Sequence, residues 1–323
     1  MENLQVSVTV KKPFWTKKRK DKIFICGMLS LAVFHFIVFY CYVNIQSILM
    51  AFQNKVMVDG EAKLYWTVEN FTRFFNEFGT NGSTILESTK NTLIAFCVGT
   101  FINFPLTVLC CYVFFKKVPL NGVFRVIFFL PSVVSGVVLV MMYQEAITTG
   151  GVVYEYIWKG VLGHTEADFY LYPKFLSTEG LTFTIIQIFD VWSGIGYGII
   201  IMSGALYRIP TQIFESAKMD GVGVVREFVQ IVLPLMWPTL STYLIYRIAS
   251  MFTYTGPILL FDKECTYGTS TIGYFIFSQV KFGTGVNKYY YASTVGFIFT
   301  MIGLPIILTI KHFLMKYSDN VSY

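Results

Sequence analysis

The chain has 323 residues, of which 54% are hydrophobic, 18% aromatic and only 14% charged, with a formal net charge of +6. A soluble domain carries roughly 25% charged residues, so this composition excludes an ordinary water-soluble globule and predicts an all-α, polytopic membrane protein. The positive charge does not point to nucleic acid, because Lys11, Lys12, Lys17, Lys18, Arg19, Lys20 and Lys22 sit directly before the first apolar run, the signal for a cytoplasmic N-terminus.

Taken in chain order, residues 1–22 form a basic N-terminal segment and 23–323 a six-span unit. The apolar runs long enough to cross a bilayer core are Ile23–Met50, Thr92–Phe115, Val123–Tyr143, Leu181–Tyr207, Leu235–Leu260 and Ala292–Ile310. The first is too long for the apolar part of a cleaved leader and lacks a small-x-small site, so it is expected to stay as a span. With the N-terminus inside, fifteen Lys and Arg fall on the cytoplasmic side against nine in the longer outer loops, which also puts the C-terminus inside. The loops between spans contain V-E-N-F-T-R-F-F, an amphipathic surface segment; V-V-Y-E-Y-I-W-K-G-V-L, a short interfacial helix; and T-I-G-Y-F-I-F-S-Q-V, too short to span.

The six cysteines and three histidines are scattered, with neither disulfide-framework nor zinc spacing, and all nine read as structural. No metal site is expected. No stretch fits G-x4-G-K-[ST], so the chain does not bind nucleotide through a P-loop of its own.

Between the fourth and fifth spans lies the polar stretch 208–234. Pro210 suits the first turn of a helix, and Ile213, Phe214 and Ala217 then share one face. Asp220 and Gly221 break that helix, since Gly admits a positive φ. Val222, Val225, Phe228, Val229 and Val232 recur at helical spacing, and Leu233-Pro234 is expected to end the second helix where the next span begins. The fixed positions Glu215, Ser216, Ala217, Gly221, Ile231, Leu233 and Pro234 spell E-S-A-x3-G-x9-I-x-L-P. This resembles the E-A-A-x3-G-x9-I-x-L-P signature of the permease subunits of bacterial binding-protein-dependent ABC importers, in the carbohydrate-uptake branch with the maltose-type and glycerol-phosphate-type permeases. Ser216 replaces the usual Ala, and where that branch commonly has T-x-G-G-P this chain has Thr255-Gly256-Pro257. Supporting matches include N-F-T-R-F-F, F-R-V-I-F-F-L-P-S-V-V-S, W-S-G-I-G-Y and G-A-L-Y-R-I-P.

The resemblance implies a non-catalytic subunit of the bacterial plasma membrane that forms the pathway for a sugar or oligosaccharide. It implies a second, different permease, an ATPase dimer that holds ATP and Mg at the cytoplasmic face, and an extracellular solute-binding protein. The helix around Thr211–Met219 would enter a cleft of the ATPase, with Glu215 as contact, Ser216 and Ala217 allowing close approach, and Asp220-Gly221 setting the turn. An amphipathic hairpin without a partner is the bland alternative for this stretch.

Ionisable groups inside spans are functional candidates by default, which singles out Asp190 and Arg247. They could form a packing ion pair or touch solute. Asn103, Gln187, Trp192, Tyr197, Tyr246 and Tyr254 supply the hydrogen-bonding and aromatic chemistry that sugars need, although aromatics abound here and most serve packing or the interfacial belt. Gly194, Gly196, Gly198 and Gly204 allow close helix approach. A self-contained secondary transporter or channel for a small polar solute is the alternative function; it would move solute without an ATPase.

Overall fold

The computed structural model describes residues 17–58, 61–116, 119–165 and 170–318. Lys11, Lys12 and Lys117 lie outside the described residues. Among the described residues five helices are long and apolar enough to cross a membrane: α1 (Lys20–Ala51), α3 (Thr84–Phe115), α7 (Leu181–Leu206), α9 (Val224–Ala249) and α11 (Lys288–Ser318). The run expected as one span over Val123–Tyr143 is instead two helices, α4 (Asn121–Val133) and α5 (Gly136–Ile147), meeting at 109°. Pro131 has no N–H for the carbonyl four residues back, Val134 is extended with ψ 145°, and Ser135-Gly136 follows, so the helix breaks where three weak formers adjoin.

The short segments fall between these spans. α2 (Glu69–Gly79) is the expected amphipathic piece, α6 (Val153–Val161) is a π-helical turn pair, α8 is Thr211–Met219, and α10 (Ile272–Lys281) is too short to span. A two-stranded antiparallel hairpin, β1 (Gln53–Val58) and β2 (Glu61–Trp66), pairs Gln53 with Trp66 and Val58 with Glu61. No strand was expected here, although the dipeptide Asp59-Gly60 is a hairpin signal in the sequence. Asn287 ties the hairpin to the base of α11, accepting from the Lys55 N–H at 2.7 Å and donating to its carbonyl at 3.0 Å.

The fifth span also differs from expectation. It starts at Val224 and ends at Ala249, so Pro234 interrupts nothing. A π-helical turn over Phe228–Val232 precedes Leu233, which is αR with φ −60° and ψ −46°. The widened turn removes the clash between the Pro ring and the preceding carbonyls that would have stopped a regular helix.

Two cores sit at opposite ends of α3. One joins Val108, Cys111 and Tyr112 of α3 to Met202 and Leu206 of α7 and to Val232, Met236 and Leu240 of α9. The other joins Ile85 of α3 to Phe74 of α2, Ile272 and Phe275 of α10, and Tyr291, Val295 and Phe299 of α11. Near the second core the polar side of α3 is matched by the loop before α10: Asn91 donates to the carbonyls of Gly268 and Ser270, and Thr92 Oγ1 accepts the Ile272 N–H at 2.9 Å.

In lipid, apolar burial gives little net force between helices, so close backbone approach carries more of the association. A methyl on Gly196 of α7 would collide with the backbone carbonyl of Phe128 in α4, and one on Gly198 would meet Thr107 of α3. Gly194 stands against Asn103, whereas Gly204 faces open space and has no packing role within the described residues. Gly196→Ala is therefore expected to destabilise by about 1–3 kcal/mol through overpacking, while Gly204→Ala is neutral or slightly stabilising. Thermal unfolding of the two variants in detergent measures the contrast.

Candidate functional site

The stretch 208–234 folds as α8, a tight turn and the first turns of α9. Gly221 has φ +71°. The Val222 N–H bonds the Ala217 carbonyl at 3.0 Å and the Gly221 N–H bonds the Lys218 carbonyl at 3.2 Å, the paired hydrogen bonds of a Schellman cap. The carbonyls of Ser216, Ala217 and Lys218 are thus satisfied at the helix end, with glycine at the position of positive φ.

α8 is anchored along one face only. Ile213 and Phe214 pack on the core shared by α3, α7 and α9, the rings of Phe115 and Phe214 lie 5.0 Å apart, and Ala217 is buried. Glu215, Ser216 and Asp220 are exposed, as is Met219 at 87%. Ser216 returns its hydroxyl to the Ile213 carbonyl at 3.0 Å, so the departure from Ala leaves no unpaired donor. Small size at Ala217 serves contact with the chain's own core, and Glu215 with Ser216 form the outward face. Ile231 and Leu233 are half-buried and Pro234 exposed, all within α9 and apart from that face.

Sequence reasoning missed three residues here. Glu227, 5% exposed, accepts from Tyr112 Oη at 3.0 Å and from Lys116 Nζ at 2.7 Å. Its position was readable, because Val224, Glu227, Phe228 and Ile231 fall on one helical stripe and the stripe is otherwise apolar. Lys116 and Tyr112 end α3 and carried no comparable signal.

The pathway candidates separate into two groups. Asp190, Tyr246, Arg247 and Tyr254 line one cavity of about 210 Å³, together with Ala95, Phe96 and Tyr243. The ion pair that the sequence allowed is not formed: Asp190 and Arg247 line the same cavity but stand beyond salt-bridge distance. The guanidinium lies instead against Gly99, in the π-helical turn Gly99–Asn103 of α3, where any side chain would overlap it. Its Nη1 is 3.5 Å from Tyr243 Oη. Tyr254 Oη, beside Asp190 and Gln187, meets no hydrogen-bond partner of proper geometry, and neither does Gln187 Nε2. Thr100 Oγ1, Asn121 Oδ1, Trp158 Nε1 and Trp237 Nε1 are likewise buried without a partner, but only Tyr254 Oη and Gln187 Nε2 stand beside the acid of this cavity.

The other candidates lie elsewhere. Asn103 is buried and donates to the Val191 carbonyl at 2.9 Å, holding α3 to α7. Trp192 is 41% exposed and stacks towards Tyr143, while Tyr197 projects from α7 at 62% exposure.

The family described as "Binding-protein-dependent transport system inner membrane component" matches residues 103–319, more than half of the chain. The chain is similar to the sn-glycerol-3-phosphate transport system permease protein UgpA of Escherichia coli O157:H7, 28% identical over 159 residues, covering 48% of this chain and 52% of that protein. It is also similar to the maltose/maltodextrin transport system permease protein MalF of Vibrio cholerae serotype O1, 28% identical over 153 residues, covering 44% and 29%. The aligned part thus spans about half the length of the first relative and under a third of the second. A crystal structure of a bacterial ABC transporter involved in the import of the acidic polysaccharide alginate shares the fold, with a TM-score of 0.75 at 21% identity over 93% of this chain and 98% of that one. The same transporter type solved with an alginate pentasaccharide-bound periplasmic protein gives 0.74, also at 21% identity, over 93% and 96%. The apolar helices of membrane length make this chain a multi-pass membrane protein, and the match over 103–319 shows that it belongs to the binding-protein-dependent transport system inner membrane component family.

Proposed function

We propose that this chain is a transmembrane permease subunit of an ATP-driven importer in a bacterial plasma membrane, with both termini cytoplasmic, and that it forms part of the pathway for a sugar or oligosaccharide. The observation that carries this reading is α8: a short helix anchored by Ile213, Phe214 and Ala217, closed by the Gly221 cap, and presenting Glu215 and Ser216 outward. Such an element is rigid where it meets the membrane body and free where a soluble partner would bind. The partner is an ATPase dimer, which supplies the ATP and Mg chemistry, since this chain has no P-loop. A second, different permease and an extracellular solute-binding protein complete the assembly. The relatives named for maltose and glycerol phosphate and the likeness to an alginate importer support a carbohydrate-type solute.

Within the pathway, Asp190, Gln187, Arg247 and Tyr254 offer both signs of charge together with unpaired donors. An unformed ion pair leaves Arg247 available to a hydroxyl-rich or acidic solute, whereas a closed pair would be neutralised internally.

Purification of the chain from its native membrane tests the assembly. The wild type is expected to bring down an ATPase. Glu215→Lys reverses an interface charge and should reduce recovery about tenfold or more, in line with an interfacial contact of roughly 2 kcal/mol. Gly221→Val should also uncouple α8, because the left-handed conformation costs a side chain about 1–2 kcal/mol, with Gly221→Asn milder. A wild-type chain that purifies alone and moves solute in vesicles without ATP establishes the secondary-transporter alternative.

The Arg247 geometry makes a separate prediction. A methyl on Gly99 meets the far end of a flexible side chain and not backbone, so Gly99→Ala should cost less stability than Gly196→Ala. That cost should vanish in an Arg247→Met background, and a double-mutant cycle by thermal unfolding reads the coupling.

A further inference from the structure

A carboxylate removed from water persists only where partners replace its hydration, and Glu227 is held at a junction of three elements. Lys116 and Tyr112 stand four residues apart at the end of α3, so both project to one side. From there Lys116 Nζ reaches Glu227 Oε2 at 2.7 Å, and Tyr112 Oη lies 3.0 Å from Glu227 Oε1 and 3.2 Å from the Val224 carbonyl. The Tyr112 ring also packs 4.9 Å from Phe228. The same Lys116 ammonium lies 5.5 Å from the ring of Phe214, the residue next to Glu215 in α8. One ion pair therefore touches the end of α3, the start of α9 and the anchored face of α8. The carboxylate side chain is 7% exposed and that of the lysine 32%. Unlike an exposed pair, this one resists separation, because opening it leaves a charge buried without a partner.

From this junction α3 runs on to the cavity. Gly99 of α3 underlies the Arg247 guanidinium, and Ala95 and Phe96 form part of the cavity wall. We infer that Glu227, Lys116 and Tyr112 are positioning residues that latch α8, the first turns of α9 and α3 into one rigid body, so that a displacement of α8 is delivered directly to the wall of the Arg247 cavity. The inference rests on the reading of α8 as the ATPase-docking element.

The test uses the complete complex, purified from the native membrane in its wild-type form and reconstituted in lipid nanodiscs. Genetically encoded spin labels replace Gln212 of α8 and Leu93 of α3, both exposed, and their separation is measured by pulsed electron resonance without nucleotide and after trapping with ATP and vanadate. In the wild type the separation is expected to be the same in both states. In Glu227→Gln and in Lys116→Met it should shift on trapping by about 1–2 Å or more, the scale of a helix sliding past its neighbour, while Lys116→Arg should restore the unshifted value. A simple loss of folded protein would lower the signal without producing a state-dependent shift. If Glu227→Gln does not fold, Lys116→Met carries the same comparison. A wild-type separation that itself changes, or variants that stay unshifted, overturns the latch while leaving the importer reading intact. A wild-type complex that traps no nucleotide overturns the importer reading and the latch with it.

Discussion

Close packing of α7 against α3 and α4 is the constraint on which the remaining geometry depends. Half of the most apolar window of α7 is buried, against none of that of α1. Between helices in lipid the hydrophobic effect contributes little, so contact is won by small residues and by interhelical hydrogen bonds. Gly196 and Gly198 let the backbone of α7 reach Phe128 and Thr107, and Asn103 adds its hydrogen bond to Val191. With α7 held in this way, Asp190 lines the same cavity as Arg247, and the last turn of α7 delivers the chain into α8 beside Phe115.

Two π-helical turns adjust what regular helices would misplace. The turn Gly99–Asn103 lies where α3 meets Arg247, and the turn Phe228–Val232 lies between Glu227 and Pro234. A π turn shifts the register of the side chains that follow it and loosens the hydrogen-bond ladder locally. In α9 this allows one continuous helix to run from the α8 hairpin through Pro234 into the membrane. The same element contains a buried acid at one end and an intramembrane base near the other, and each is held by α3.

Arg247 and Asp190 illustrate the difference between charge and pairing. Both are inside spans, where an ion is costly unless partnered or solvated. Arg247 is accommodated by the bare backbone at Gly99 and by Tyr243, with Asp190 lining the same cavity. Tyr254 and Gln187 add polar atoms without hydrogen-bond partners on the same side. The arrangement gathers two charged side chains and the hydroxyls of Tyr243, Tyr246 and Tyr254 around one cavity of mixed lining.

Much of this protein was legible from residues in order. Apolar runs of membrane length are local in sequence and mark α1, α3, α7, α9 and α11 without reference to a neighbour, although the ends of α9 were misplaced. The E-S-A-x3-G-x9-I-x-L-P spacing likewise predicted α8 and its glycine cap, because capping is a short-range hydrogen-bond problem. Tertiary structure decided the rest. Whether Asp190 meets Arg247, where Asn103 finds its acceptor, and which side chains cover Glu227 all depend on atoms far apart in the chain. Those outcomes are set by which backbones can approach and which buried charges find partners, quantities that a linear pattern does not contain.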